Sequence, residues 1–470
     1  MSTPNTHHGA ENLSRLLAKD KCERIFFCGV GGVNMSSLAH MAMENGYLVR
    51  GSDRTESALT RALSEAGADI IYSHAAENVD GCDAFVYTVA ISPDNPEYVR
   101  ASEMGIPRIS RADFLGYVMT SRPMRIGICG THGKSTTTAM CHSVFESAGA
   151  DPTVMCGSAL SGVGSPYRPG RGDHFVFEAC EYMDSFLDFN PTTAVVLNIE
   201  MDHVDYFHSI EQMRESYARF AKITEKNGAV IYNADDENTA LALESYCGRR
   251  LSFGIDSTCA TFKASRISFN GKGYSFDVLK EGDFYTHIDL SVSGRHNILN
   301  ALAATAAAYY GGISADKTAK GLSLFTGTHR RMEYKGRLNG ADVYDDYAHH
   351  PTEIAATLEA ARALCGEKRL VCVFQSHTYS RTNALMDGFA NVLKAADKVF
   401  VAPIYPARET DTLGVDQYKL AANIGNTAEG CKDFEEVVKH LKNELSEGDV
   451  AIIMGAGDIN SIFNNLGLEK

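Results

Sequence analysis

The chain has 470 residues, 44% of them apolar and 22% charged, with a formal net charge of −15. Single cores stop growing at roughly 250 residues, so this length predicts several domains, and the ordinary apolar fraction predicts a globular protein. The acidic balance excludes a general nucleic-acid binder, which needs a basic surface, but not a small anionic substrate held by a few cations in a cleft.

In chain order, an apolar strand from Arg24 leads into the glycine turn Gly29-Val30-Gly31-Gly32-Val33-Asn34, and a helix is expected from Ser36. A second strand, Tyr47 to Ser52, ends at Asp53. This is the layout of a Rossmann-like β-α-β unit, with Asp53 where a ribose-binding acid sits. Asn34 replaces the third glycine of the dinucleotide fingerprint. A further strand at Ala84 to Tyr87 and alternation to about residue 120 complete a first block, 1–120. Thr120 to Met124, polar and proline-bearing, reads as a linker.

Ile126 to Cys129 is a strand that runs into Gly130-Thr131-His132-Gly133-Lys134-Ser135-Thr136 and then into a helix. Glycines let backbone N–H groups turn around an anion, and the helix N-terminus adds partial positive charge. Lys134 reaches a terminal phosphate and the Ser135 hydroxyl ligates Mg²⁺ in this pattern. Strands follow at Phe175 to Phe177 and Thr193 to Leu197, each ending in polar residues: Glu178, and the stretch Asn198 to His203. An acid at a buried strand end near a phosphate loop is a Mg²⁺ position or an ordinary surface carboxylate, and His203 is a second ligand or a turn cap. A helix over 210–223, a strand over 229–232, an antiparallel region over 250–290 and an alanine-rich helix after Asn297 carry the second block, 121–325. Asn297 and Asn300 open that helix, as capping groups or as partners of an adenine edge.

The third block, 326–470, begins with Gly327 to Glu333 and alternates again. Strands are expected at Val343 to Asp345, Leu370 to Phe374, Lys398 to Ala402 and Val450 to Met454, with helices from Thr352 and Asn383. Arg330 and Arg331 lie at its start, where a closing domain places a cation on a transferring phosphoryl group. Asp345, Asp346, His349 and His350 crowd one strand's carboxyl end, and His377 and Arg381 follow the next strand; ligands bind at that edge of an α/β sheet. The expected fold is α/β with three domains: Rossmann-like, central phosphate-loop ATP-binding, and Rossmann-like again.

The twelve cysteines form no C-x-x-C pair, which predicts reduced thiols rather than a disulfide framework or a zinc site. The first twenty residues lack a signal peptide's apolar core, and no apolar run reaches the ~18–20 residues that span a bilayer, so a cytoplasmic protein without membrane insertion is expected.

Taken together, Gly130 to Lys134, Glu178 to Tyr182, Asn198 to His203, Gly294 to Asn300, Gly327 to Glu333, Asp345 to Pro351 and Gly455 to Asp458 resemble the Mur ligase family, ATP-dependent amide-forming enzymes of peptidoglycan precursor synthesis. The resemblance runs from about Arg24 to Ile459. It implies ligation of L-alanine to the carboxylate of UDP-N-acetylmuramate through an acyl phosphate, with ATP and Mg²⁺. A member that recycles a muramyl tripeptide is the alternative. The resemblance also implies residue roles. Gly29, Gly31 and Gly32 meet the UDP diphosphate and Asp53 the uridine. The loop from Gly130 to Thr136 holds ATP. Lys134 and Arg331 act on the γ-phosphoryl group. Ser135, Glu178 and His203 hold Mg²⁺, and Asn297 and Asn300 bind adenine. Asp346, His349, His350, His377 and Arg381 surround the acceptor carboxylate and the amine, with the amine's base placed in the stretch Asp346 to His350. Departures are Ser135 for the family's Thr, Val33-Asn34 for small residues, and Thr378 where many members carry Arg.

Overall fold

A computed structural model describes residues 9–88, 91–160, 162–203, 206–224, 228–407 and 409–469. The chain divides into two compact units: Met1–Phe253 with Ser257–Thr261 and Ala303–Thr318, and Gly254–Asp256 with Phe262–Leu302 and Ala319–Lys470. Among the described residues no helix is long and apolar enough to cross a membrane.

The first unit holds one all-parallel sheet and a second set of strands that is parallel except for its antiparallel edge pair, Thr153–Met155 with Tyr167–Arg168. Strands β1 (Arg24–Cys28), β2 (Leu48–Ser52), β3 (Asp69–Ile71), β4 (Ala84–Tyr87) and β5 (Arg108–Ser110) lie in the order β3-β2-β1-β4-β5. Register pairs Cys28 with both Ser52 and Tyr87, so three strands end level at one carboxyl edge. The second sheet uses β6 (Met124–Cys129), β7 (Thr153–Met155), β8 (Tyr167–Arg168), β9 (His174–Glu178), β10 (Thr193–Val196), β11 (Ala229–Asn233) and β12 (Arg249–Gly254), ordered β12-β11-β10-β6-β9-β7-β8. Strand β6 is apolar and buried almost throughout because neighbours and helices cover both faces, which is why it reads as a continuous apolar run. Cys129 pairs with Val196, and Ile128 with Glu178. The loop after β6, the acid ending β9 and the turn after β10 therefore share one edge.

The second unit contains a meander, β13 (Phe262–Phe269), β14 (Tyr274–Lys280) and β15 (Asp283–Asp289), antiparallel throughout. Its main sheet is β16 (Glu333–Leu338), β17 (Ala341–Asp346), β18 (Leu370–Phe374), β19 (Lys398–Val401), β20 (Ala428–Gly430) and β21 (Val450–Met454), ordered β16-β17-β21-β18-β19-β20. Helices cover both faces. Ile354 and Leu358 pack with Phe389 on one, and Val437 and Leu441 with Ile459 on the other. Asp346 and Phe374 both pair with Met454, so Asp346, Gln375 and Gly455 meet at the carboxyl edge.

Several boundaries moved. The period-two stretch expected to be antiparallel from residue 250 begins with β12, which runs parallel to β11; its last four residues are buried on both faces, the environment of a parallel strand. Met124, read as linker, is already strand. The helix expected from Asn383 starts at Tyr379, capped by the Thr378 side chain, and is interrupted at Leu385 before resuming at Met386.

Candidate functional site

The loop after β6 is built on two glycines at positive φ, Gly130 and Gly133, where other residues are strained. Gly130 has φ +142°, and a Cβ there would lie 2.9 Å from Leu197 Cβ. Gly133, at φ 86°, turns the chain into the helix Lys134–Ser147 without any side-chain cap, leaving its first amides to a ligand. The turn after β10 buttresses the loop. Asn198 O accepts from Thr131 N at 3.1 Å, Asn198 Oδ1 accepts from His132 N at 2.8 Å, and Asn198 Nδ2 donates back to His132 O at 3.0 Å. Glu200 N donates to Thr131 Oγ1 at 2.9 Å, and its carboxylate lies 3.0 Å from His132 Nε2.

Lys134 folds back over this loop. Its ammonium donates to Gly130 O and Thr131 O, and to Glu181 Oε2 at 3.2 Å. Glu181 is fully buried, and His203 Nε2 stands 3.6 Å from its other oxygen. Burial drives the Glu181 carboxyl up, but Lys134 and the His203 imidazole bring it below its ordinary value. Burial likewise drives Lys134 down, and Glu181, joined by Cys180 and Glu178, more than reverses it. The pair is ionised at neutral pH, with the lysine charge locked in place. His203 sits at φ 51° with its ring 4.7 Å from that of Tyr182.

Glu178 has different company. It accepts from Cys156 Sγ at 3.1 Å and, closely, from Gly157 N; a Cβ on Gly157 would lie 2.9 Å from its carboxylate. Cys156 Sγ also reaches Ser135 O at 3.6 Å, so one thiol links two expected metal ligands. Lys134 and His203 thus gather on Glu181, whereas Glu178 and Ser135 gather on Cys156. The sequence reading named neither Glu181, Cys156, Asn198 nor Glu200 as site residues. The signal for Glu181 is its place in the motif Glu178 to Tyr182, three residues beyond the strand end.

At the first glycine turn, Gly29 has φ 79°. Gly31 N donates to Asp53 Oδ2 at 2.8 Å, while Asp53 Oδ1 accepts from Arg54 N at 2.7 Å. The Gly31 amide expected at a diphosphate is therefore engaged by a carboxylate.

In the second unit, Asn297 and Asn300 are buried near the start of the helix His296–Tyr310. Asn297 Nδ2 donates to Ser293 O at 2.6 Å and Asn300 Nδ2 to Asn297 Oδ1 at 3.0 Å. These bonds run from amide donors, whereas capping would have the side-chain oxygen accept a helix N–H. Asp346 is buried and braces its turn by accepting from Met332 N and Ala348 N, each at 2.8 Å; burial pushes its carboxyl up. Burial also pushes neighbouring Asp345 to about 6. The adjacent arginines divide. Arg330 donates to Gly455 O and Gly457 O, anchoring the strand-end turn, and Arg331 faces Glu353 at 3.6 Å. Glu353 also meets His349 Nδ1 at 3.2 Å. His350 caps the helix Pro351–Cys365. The His377 ring stacks on Tyr405 at 5.4 Å and lies 6.3 Å from His349, with its Nδ1 buried and unpaired. Burial first, then the charges of His349 and Arg381, lower His377 to about 4, so it is neutral at pH 7.

Three family models match along the chain: the Mur ligase family catalytic domain over residues 24–122, the Mur ligase middle domain over 128–308, and the Mur ligase glutamate ligase domain over 330–457. The UDP-N-acetylmuramate–L-alanine ligase of Acetivibrio thermocellus is 44% identical over 96% of this chain and 97% of its own. That of Caldanaerobacter subterraneus subsp. tengcongensis is 43% identical over 94% and 97%. Among solved structures, a UDP-N-acetylmuramate-alanine ligase from Thermotoga maritima matches with TM-score 0.79 and 29% identity, covering 94% of this chain and 98% of that one. A murein peptide ligase from Psychrobacter arcticus matches at 0.70 and 25%, over 94% and 98%.

Proposed function

The chain belongs to the Mur ligase family, and from that premise we propose that it joins L-alanine to the carboxylate of UDP-N-acetylmuramate, using ATP and passing through an acyl phosphate. The observation that carries this reading is the Gly130–Ser135 loop with Lys134 charged and held beside it by Glu181.

A carboxylate attacking a γ-phosphoryl group brings two anions together, so the barrier falls chiefly through positioned positive charge. Lys134 supplies one such charge. Its ammonium is bonded to two loop carbonyls and Glu181. A bound triphosphate competes for the carbonyl contacts, and Glu181 keeps the ammonium charged and aimed as it moves. The loop amides hold the phosphates and the Asn198 buttress keeps them preorganised. Ser135 and Glu178, with hard oxygens, and His203 would hold Mg²⁺, which when bound would supply further charge neutralisation on the phosphates.

The proposed division of labour assigns residues 1–120 to the UDP moiety, 121–325 to ATP and 326–470 to the amino acid. Gly29 and Gly32 lie at the diphosphate and Asp53 accepts a sugar hydroxyl. Asn297 and Asn300 hold adenine, Arg331 adds charge at the transferring group, and His377 and Arg381 face the alanine carboxylate. Proton removal from the amine falls to the stretch Asp346 to His350. Within it His349, backed by Glu353, is the base, because both Asp346 oxygens are occupied by backbone amides.

The test is phosphate release from ATP and Mg²⁺ with UDP-N-acetylmuramate, with and without L-alanine. Release that needs both supports the assignment. Release only with L-alanyl-D-glutamyl-diaminopimelate moves the chain to the tripeptide-recycling reaction, and release with neither refutes the catalytic reading.

A further inference from the structure

The carboxyl edge of the first sheet carries a cluster that the ligase proposal does not use. Glu97 is fully buried at the start of the helix Pro96–Glu103, beside Asn95, which accepts the first helical amides. Its Oε1 accepts from Asn78 Nδ2 at 2.8 Å. On its Oε2 three groups from separate elements converge: Ser52 Oγ at 2.7 Å, His74 Nδ1 at 2.8 Å and Cys28 Sγ at 3.0 Å. The sulfur, imidazole nitrogen and carboxylate oxygen all lie within 4.8 Å of one another.

We propose that Cys28, His74 and Glu97 bind one transition-metal dication of the zinc type, next to the Gly29–Gly32 turn. Sulfur, nitrogen and oxygen donors together suit Zn²⁺ or Co²⁺, whereas Mg²⁺ and Ca²⁺ require oxygen ligands. Three protein donors leave a fourth tetrahedral position, and Ser52 Oγ lies close by, 3.3 Å from His74 Nδ1. Asn78 orients the carboxylate through its other oxygen, as an outer partner of a metal ligand does. Ligands of a tetrahedral zinc ion stand about 3.3–3.5 Å apart, so the His74 and Cys28 donors, at 2.8 and 3.0 Å from Glu97 Oε2, need move from it by only about half an ångström. His74 keeps 20% of its side-chain surface exposed, which gives the ion a way in. On binding, the Cys28 thiol gives its proton to solvent and the sulfur takes the metal.

The rival explanation is a plain hydrogen-bonded hub. Against it, a thiol is a weak donor, and Glu97 already has Ser52, His74 and Asn78. A cysteine adds little to such a hub and much to a metal site. The cysteine spacing predicts no zinc site because it reports only on neighbours in sequence. Here the ligands are brought from a strand end, a loop and a helix start.

The experiment is titration of the metal-free full chain with Co²⁺, followed by the thiolate-to-cobalt charge-transfer absorption. The expected result is one equivalent with that band, displaced by Zn²⁺ and unaffected by excess Mg²⁺, which separates this site from the nucleotide site. Cys28→Ser should abolish the band and weaken cobalt binding on the order of 100-fold or more. His74→Gln, at a partly exposed position that tolerates change, should weaken binding while the band survives at saturation. No thiolate band in the wild-type chain overturns the proposal. So does an undiminished band in Cys28→Ser, or unchanged affinity in His74→Gln.

Discussion

The turns Gly29–Gly32 and Gly130–Gly133 each follow a central parallel strand and each open a helix, yet they are completed by opposite charges. In the first, Asp53 from the end of the next strand takes the Gly31 amide, and Gly32 enters the helix at φ −67° and ψ 140°. In the second, Gly133 enters at φ 86°, neutral Asn198 steadies the loop, and Lys134 is the first helical residue. Both have the amide-rich geometry that attracts anions. Under the proposed function the charge beside each turn separates the two ligands: the Asp53 carboxylate on the Gly31 amide suits a sugar hydroxyl, and the Lys134 ammonium on the Gly130 and Thr131 carbonyls suits a terminal phosphate.

The hardest test of this contrast is charge removal. Lys134→Ala should lower the rate of phosphate release by about 10³-fold or more, while the chain still melts cooperatively. Retention of a tenth of the activity would break the comparison. Steric substitution comes next. Gly130→Ala puts a Cβ against Leu197 and Asn198 at a φ that L-residues avoid, and should destabilise the chain by about 2–4 kcal/mol in thermal or denaturant unfolding. Gly31→Ala meets the Asp53 carboxylate first, at 2.7 Å. That side chain can turn aside at the expense of its bonds to the Gly31 and Arg54 amides, so the cost should be about 1 kcal/mol; equal costs would mean the two turns are equally rigid.

Glu181→Gln should reduce kcat about tenfold with a smaller change in the KM for ATP, and Glu181→Asp should recover part of it. A KM effect alone would mean Glu181 only shapes the pocket. The carboxyl of Glu181 is lowered in the folded chain. Its stabilisation is therefore complete above the unfolded value, about 4.3, and disappears as pH falls through the folded one. Acid unfolding of Glu181→Gln should show a shallower pH dependence in that range. The smallest effect belongs to Asp53→Asn: the KM for the UDP-sugar should rise by about three- to fivefold with kcat unchanged. A drop in kcat would place Asp53 closer to the chemistry than the comparison allows.

Elements with strong local patterning were legible. Ala84 to Tyr87, Leu370 to Phe374 and Val450 to Met454 occupy the strands read from their apolar runs. Where tertiary burial or an unusual dihedral decides, the reading slipped. β12 alternates like an antiparallel strand but lies in a parallel sheet, and Thr378 starts a helix from φ 68°, a conformation no propensity announces.

The sequence by itself determined the α/β class and the placing of Gly130 to Ser135 between a strand and a helix. Apolar period, glycine spacing and a lysine at a helix start are local properties, carried by adjacent residues. Only the tertiary structure decided which acid each of these groups faces. Glu178 and Glu181 are three residues apart in one motif, yet one meets Cys156 and Gly157 while the other, fully buried, meets Lys134 and His203. The same holds for Cys28, His74 and Glu97. Strand register and the chain's turns set those distances, and burial then sets how strongly each pair of charges is felt.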